Sequence, residues 1–454
     1  MPISWDGIAR RLAGGLALLA LSLGCGEAPQ EVGPAIPAPP PAVPGPPGPE
    51  AAVQWVRENA IPLEPGDLEG ALDRFGEAAP ARVVAVGEAT HGTHEFFEIR
   101  QKLLQHLVEL HGFRQLVLEA DGGSTCDLNA YVQTGTGDPV QLIDQMKFWT
   151  WRTEEFLDIL RWIRSYNSTV EAGRRVSLLG LDMQNPAALA ERVLSFLRKA
   201  DPKLGREAET FYSCLGPLDS REAMARDYPQ AEVGAQLQCA AGLAEVHRRL
   251  KESRRLLAKQ DAAGYACALW SSELMISAES LLRLPSTRDR LYAEAVLSLL
   301  KAPASEGGTL IWAHNGHVSN SPGSMGRRLK RLLGDDYIIV GQTFHGGRFR
   351  ARQPSSEGRP PGPAVPIAAP PPYPDSYEAL FARTGLSGLL LDLRSLRSDE
   401  GAPDWLEGPH PLWGIGGVFR PGTSSPPVLL EQEYDFLIFV SRTQATKALK
   451  GERE

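Results

Sequence analysis

The stretch from Arg82 to Glu119 constrains the fold more than any other part of the chain. Arg82-Val83-Val84-Ala85-Val86-Gly87 is a short apolar, β-branched run of the kind that forms a buried strand. A polar turn follows, Glu88-Ala89-Thr90-His91-Gly92-Thr93. Phe96, Ile99, Leu103, Leu107 and Leu110 then recur at helical spacing and mark one apolar face. His111-Gly112 stops that helix, because glycine takes the left-handed backbone of a helix end without steric cost. Gln115 to Glu119 is a second strand. Strand, crossover helix and strand make a β-α-β unit, whose two strands lie parallel.

The same alternation recurs downstream. Val176–Leu181, Thr309–Ala313, Tyr337–Gln342, Gly388–Leu393 and Asp435–Val440 are expected strands. Thr153–Tyr166, Pro186–Lys199 and Met325–Leu333 are expected helices, with two more at Glu50–Asn59 and Asp67–Phe75. The predicted fold is therefore α/β, a largely parallel central sheet flanked by helices. Residues from about Lys203 to Ala302 lack strand signals and carry long helical runs such as Ala231–Lys259, which predicts a helical insertion at about 203–302. The Pro-rich stretch Pro354–Pro374 is expected as a loop.

The N-terminus carries an export signal over residues 1–25. Arg10 and Arg11 precede an apolar run from Leu12 to Leu23, too short to span a bilayer, that ends in Gly24-Cys25. Leu21-Ser22-Leu23-Gly24-Cys25 resembles a bacterial lipoprotein signal, in which lipid on Cys25 would anchor the protein to an envelope membrane. An ordinary cleaved signal peptide is the alternative, and export is common to both. Residues 26–50 are rich in Pro and Ala and suit an extended tether to a globular body over 51–445. In an oxidising compartment Cys126, Cys214, Cys239 and Cys267 allow one or two disulfides, with the pairing open, or four buried thiols. Lys and Arg total 47 against 55 Asp and Glu, a net charge of -8 with no basic stripe, so nucleic acid is not an expected partner.

In a parallel sheet, ligands bind outside the carboxyl ends of the strands. Glu88, Glu119, Asp182 and His314 each fall at or just past such an end, which gathers titratable groups from remote parts of the chain at one edge. His91 lies in a strand-to-helix turn, where backbone N–H groups favour developing negative charge. Ala313-His314-Asn315-Gly316-His317 adds two imidazoles three residues apart, able to serve as base, acid or oxyanion donor. Arg100, next to the apolar face of its helix, reads from pattern alone as a boundary residue. No G-x-S-x-G elbow, G-x-x-x-x-G-K-[ST] loop or H-E-x-x-H helix is present. Ligation of a metal by His91, His314, His317 and the carboxylates is a further reading of the same residues.

Gly87-Glu88-Ala89-Thr90-His91-Gly92-Thr93-His94-Glu95, Leu118-Glu119-Ala120-Asp121, Trp149-Thr150-Trp151-Arg152-Thr153-Glu154, Gly180-Leu181-Asp182-Met183-Gln184 and Ala313-His314-Asn315-Gly316-His317 together resemble the successive signatures of the erythromycin esterase family. Gly326-Arg327 to Asp336-Tyr337 and Leu390-Leu391-Asp392-Leu393-Arg394 continue the likeness, which runs from about Ala51 to Ser441. The resemblance implies an α/β fold with a helical subdomain, and hydrolysis of a macrolactone or related cyclic ester, the chemistry of macrolide antibiotic resistance. It implies His91 as general base, with Glu88 beside it, and makes Arg100 an active-site arginine. Glu119 would line the cleft and His314 and His317 would form a second histidine cluster. Arg100 with His314 or His317 would stabilise the oxyanion. It implies a small-molecule ester as partner, with no covalent intermediate and no cofactor. The rival readings are a metal-dependent hydrolase on the same cleft and a non-catalytic surface lipoprotein that binds a small ligand.

Overall fold

A computed structural model describes residues 49–449, apart from 65–67, 79–80, 218–220, 302–306, 356–360, 398–401 and 423–425. Arg10, Arg11, Cys25 and the tether up to residue 48 lie outside the described residues. Pro49 and Glu50 open the helix Pro49–Asn59.

Eleven strands are present among the described residues: β1 Ile61–Pro62, β2 Val83–Val86, β3 Phe113–Asp121, β4 Ser177–Asp182, β5 Gly308–Trp312, β6 Tyr337–Ala351, β7 Val365–Ala368, β8 Gly388–Asp392, β9 His410–Pro411, β10 Pro427–Val428 and β11 Phe436–Thr443. Nine of them form one sheet in the order β1-β8-β11-β6-β2-β5-β3-β4, with β7 paired to β6. The run from β11 through β4 is parallel, as the β-α-β grammar requires. β8 and β1 extend the β11 end of the run antiparallel, and β7 pairs antiparallel with the outer half of β6.

Alternation along each strand divides the core between the two faces of the sheet. Val83, Ala85, Val117 and Ile311 pack on one face with helices Pro186–Ala200, Ala262–Arg283 and Arg288–Lys301. Val84, Val86, Leu116, Leu118 and Leu310 pack on the other with Leu103 and Leu107 of the helix His94–Leu110 and Phe156, Ile159 and Ile163 of the helix Glu154–Thr169. The crossover helix ends as its sequence predicts, at Gly112 with φ of 72°. Leu110, the last residue on its stripe, is 69% exposed because the helix runs out there, beyond the core.

Among its described residues, Pro202 to Lys301 is built of helices and their connections. The long run Ala231–Lys259 is two helices, Val233–Glu252 and Arg254–Gln260, broken at Ser253, whose φ of −83° and ψ of 8° leave the helical region. Two disulfides are formed, Cys126–Cys267 and Cys214–Cys239, and the first ties the helix Thr125–Thr134 to the helix Ala262–Arg283. The stretch 354–374, a loop by composition, contains β7, whose Pro366 faces Arg350 across an antiparallel pairing. Proline is tolerated there because β7 is an edge strand and needs no donor on its outer side.

Candidate functional site

Strand register decides which residues share an edge. Val86 pairs with Trp312, Trp312 with Leu118 and Leu118 with Gly180, so the last residues of β2 and β5 share a row with Leu118 and Gly180, a few residues before β3 and β4 end. The residues just beyond that row are Glu88, His314, Glu119 and Asp182. Glu119 lies inside β3, two residues before its end, where the register against β4 shifts. Such an irregularity re-aims side chains. Gly87 lets the first two segments meet, because a Cβ there would lie 2.2 Å from Asn315 Oδ1 and 3.0 Å from Asn315 Cα.

Glu88 is the hub of the first half of the site. Its Oε1 lies 2.6 Å from His91 Nδ1 and its Oε2 accepts from Arg100 Nη1 at 2.6 Å and Trp312 Nε1 at 3.4 Å. Arg100 Nη2 donates to Gly87 O at 2.7 Å, and the guanidinium lies over the Trp312 ring, 4.3 Å from its centroid. Burial disfavours charge on His91, but the Glu88 hydrogen bond and the charges of Glu88 and Glu119 outweigh it and raise its pKa above 6.5. Arg100 is not the boundary residue its pattern suggested. Its side chain is fully enclosed, and burial lowers its pKa to about 10 against the pull of Glu88, so it remains a cation at neutral pH. Nor is it placed to meet an oxyanion, since its side chain is fully enclosed and does not line the cleft.

Glu119 is the second hub. Its Oε2 accepts from the His314 backbone N–H at 2.9 Å, while its Oε1 lies 3.1 Å from Arg288 Nη2 and 3.2 Å from His317 Nε2. Arg288 Nη2 also donates to Asp182 Oδ2 at 2.6 Å, and His317 Nδ1 lies 2.9 Å from Asp289 Oδ1. Burial would raise the Glu119 carboxyl, but the charge and hydrogen bond of His317, with His91 and Arg288 nearby, hold it well below the usual carboxylate range. Burial likewise opposes charge on His317, yet Glu119 and Asp289 push its pKa up to about 10. His314 goes the other way, down to about 4, through burial and the neighbouring His91. Its Nδ1 accepts from the Gly316 N–H at 3.1 Å, which leaves the proton of the neutral ring on Nε2, 3.3 Å from Ile415 O. The rings of His91 and His314 face each other at 5.3 Å.

The structure thus brings Glu88, His91, Arg100, Glu119, His314 and His317 to one edge. Glu88, His91 and Glu119 line a cleft of about 790 Å³. His94, next to His91 in the motif, leaves the cluster and pairs with Glu155 at 2.7 Å. Among the described residues no three His, Cys, Asp or Glu side chains are placed to hold a metal ion. Sequence reasoning missed Arg288, which lines the cleft, and Asp289 beside it. Both sit in a helical segment whose charged residues look alike, and only the fold separates them from solvated neighbours. It also missed the apolar wall of Phe148, Trp149 and Trp151, whose one signal is the Trp149-Thr150-Trp151 string.

The family profile of erythromycin esterase matches residues 108–443. The chain belongs to the erythromycin esterase family. The matched span begins beyond Glu88, His91 and Arg100, whose membership of the site comes from the geometry above. The chain is 25% identical to erythromycin esterase type II of Escherichia coli over 335 residues, 66% of this chain and 79% of that relative. A Bacillus cereus protein of known crystal structure superposes with a TM-score of 0.74 at 22% identity, over 89% of this chain and 100% of that one. A mutant of the erythromycin esterase EreC, in its open conformation, does so with a TM-score of 0.59 at 19% identity, over 85% of this chain and 96% of that one. At these identities the structural likenesses show the fold that the family shares.

Proposed function

We propose that the protein hydrolyses an ester, a macrolactone or related cyclic ester, by attack of a water that His91 deprotonates. The observation that carries this reading is the Glu88–His91 contact of 2.6 Å at the floor of a wide cleft. Glu88 takes the Nδ1–H, which leaves the Nε2 lone pair of neutral His91 as the base, and such a group contributes about 10²–10⁴ in rate. Arg100, on the other oxygen of Glu88, is a positioning residue for this pair. Arg288 lines the cleft and is a candidate donor for the developing oxyanion, and His314 becomes one if its Nε2–H leaves Ile415 O, each worth about 10²–10³ when well placed. Glu119 orients water. Phe148, Trp149 and Trp151 supply the apolar wall that a large lactone ring needs.

The test is to incubate the mature protein with a panel of macrolides and simpler lactones and look by mass spectrometry for addition of one water. Turnover that survives a chelator is the expected result. Turnover abolished by the chelator would favour metal-dependent hydrolysis, and no turnover of any ester would favour a binding protein.

The proposal extends to place. The charged start, the short apolar run and Gly24-Cys25 support export and anchoring to a bacterial envelope membrane through lipid on Cys25. Cys25→Ala should move the protein out of the membrane fraction, and unchanged fractionation would remove the anchor.

A further inference from the structure

Arg288 and Asp289 open the helix Arg288–Lys301 and, though adjacent, serve different partners at the cleft. Arg288 bridges Glu119 and Asp182. Asp289 Oδ1 lies 2.9 Å from His317 Nδ1 and accepts from the Met325 backbone N–H at 2.9 Å. His317 Nε2, on the opposite side of the ring, lies 3.2 Å from Glu119 Oε1. An imidazole with a carboxylate oxygen at each nitrogen satisfies both contacts only by donating twice, and only the imidazolium carries both protons.

The groups facing His317 come from every element around it. Glu119 stands on β3, Asp289 and the Tyr292 ring on the helix Arg288–Lys301, His91 in the turn after β2, and His314 one turn earlier on its own segment. Asp289 and Glu119 favour its charge, while His91 and the Arg288 cation, itself held by Asp182 and Glu119, oppose it. The two direct contacts are both carboxylates, and they prevail over burial.

We infer that Asp289 is a positioning residue: it holds His317 as an imidazolium, whose Nε2–H keeps Glu119 an anion aimed at the cleft and at the His314 N–H. The kinetic consequence rests on the hydrolase reading above. Asp289→Asn isolates the charge, because the amide oxygen can still accept from His317 and Met325.

Two measurements on the mature protein test it. In the first, the histidine side chains are labelled with ¹⁵N and titrated by NMR. His317 should stay protonated far above neutrality in the wild type, and should titrate at clearly lower pH in Asp289→Asn, where Glu119 alone still favours its charge. In the second, hydrolysis of p-nitrophenyl acetate is followed against pH. The variant should lose on the order of tenfold in kcat on the alkaline side, with KM nearly unchanged, and should approach the wild type toward mildly acid pH. A wild-type His317 that titrates near 6.5 overturns the inference. So does a variant with unchanged titration, or one equally impaired at every pH. If Asp289→Asn does not fold, the wild-type titration still decides, and Asp289→Glu, which keeps the charge, should keep His317 protonated. A shifted titration without turnover of any ester would support the charge relay and count against the hydrolase reading.

Discussion

His91→Asn should lose about two to four orders of magnitude in ester hydrolysis while keeping its fold. The size follows from removing a general base, because asparagine accepts no proton in the working range. The fold should survive because His91 sits in a turn, hydrogen-bonds Glu88 through its side chain, and fills no core position. Its thermal unfolding should therefore shift far less than that of a core truncation, which costs about 2–5 kcal/mol. The pH dependence gives a second sign. His91 must be neutral to act, and its pKa is raised, so activity in the wild type should fall as pH drops through a limb that lies above 6.5. Glu88→Gln should move that limb to lower pH, since it removes the charge that favours imidazolium, and should also lower the plateau. Near wild-type turnover by His91→Asn would remove it from the mechanism. The proton acceptor would then have to be sought elsewhere, and His314 is the one neighbour whose lowered pKa keeps it neutral at pH 7.

The parallel core was legible because its strands carry short apolar runs, buried on both faces of the sheet, that give way to polar residues near their carboxyl ends. The placement of Glu88, Asp182 and His314 follows from that, since knowing where a parallel strand ends says where its next polar residue goes. Glu119 falls at the same edge by the same reasoning, although β3 runs on past it to Asp121 with a register shift between Leu118 and Asp121. β7 was hidden by its prolines and by its place at the edge, where pairing depends on the outer half of β6 and not on an apolar pattern of its own.

The division of labour among the histidines was not legible at all. His314 and His317 are separated by two residues and identical in kind. One has its Nδ1 occupied by the Gly316 N–H and no carboxylate on its ring, so it stays neutral. The other has Glu119 and Asp289 on its two nitrogens, so it stays charged. Those partners come from β3 and from the last helix of the long helical segment, and nothing local encodes them. Arg100 is the same lesson in reverse. A stripe of apolar neighbours gives a guanidinium no reason to be inside, until Glu88 and Gly87 are seen to be waiting there.

Arg100→Met should be the most destabilising single change at this site, by about 3–5 kcal/mol, because it removes one partner of a buried ion pair and leaves the other in place. Arg100 is fully enclosed and the Glu88 side chain is 4% exposed, so water cannot take over the lost hydrogen bonds. Glu88 would keep only His91 and a long contact from Trp312, and Gly87 O would lose its donor. Urea unfolding should show a lower midpoint with an unchanged slope. Activity should fall as well, because Glu88 could then turn away from His91 Nδ1. Arg100→Lys should fall between wild type and Met, since one ammonium cannot reproduce the fork that spans Glu88 Oε2 and Gly87 O. The double variant Glu88→Gln with Arg100→Met separates the two effects. Removing both charges should recover most of the stability, because no uncompensated ion stays buried, but none of the activity, because the base has lost its orienting carboxylate. Equal stability of Arg100→Met and the wild type would mean that the pair contributes nothing to the fold. Recovery of turnover in the double variant would mean that Glu88 does not orient His91.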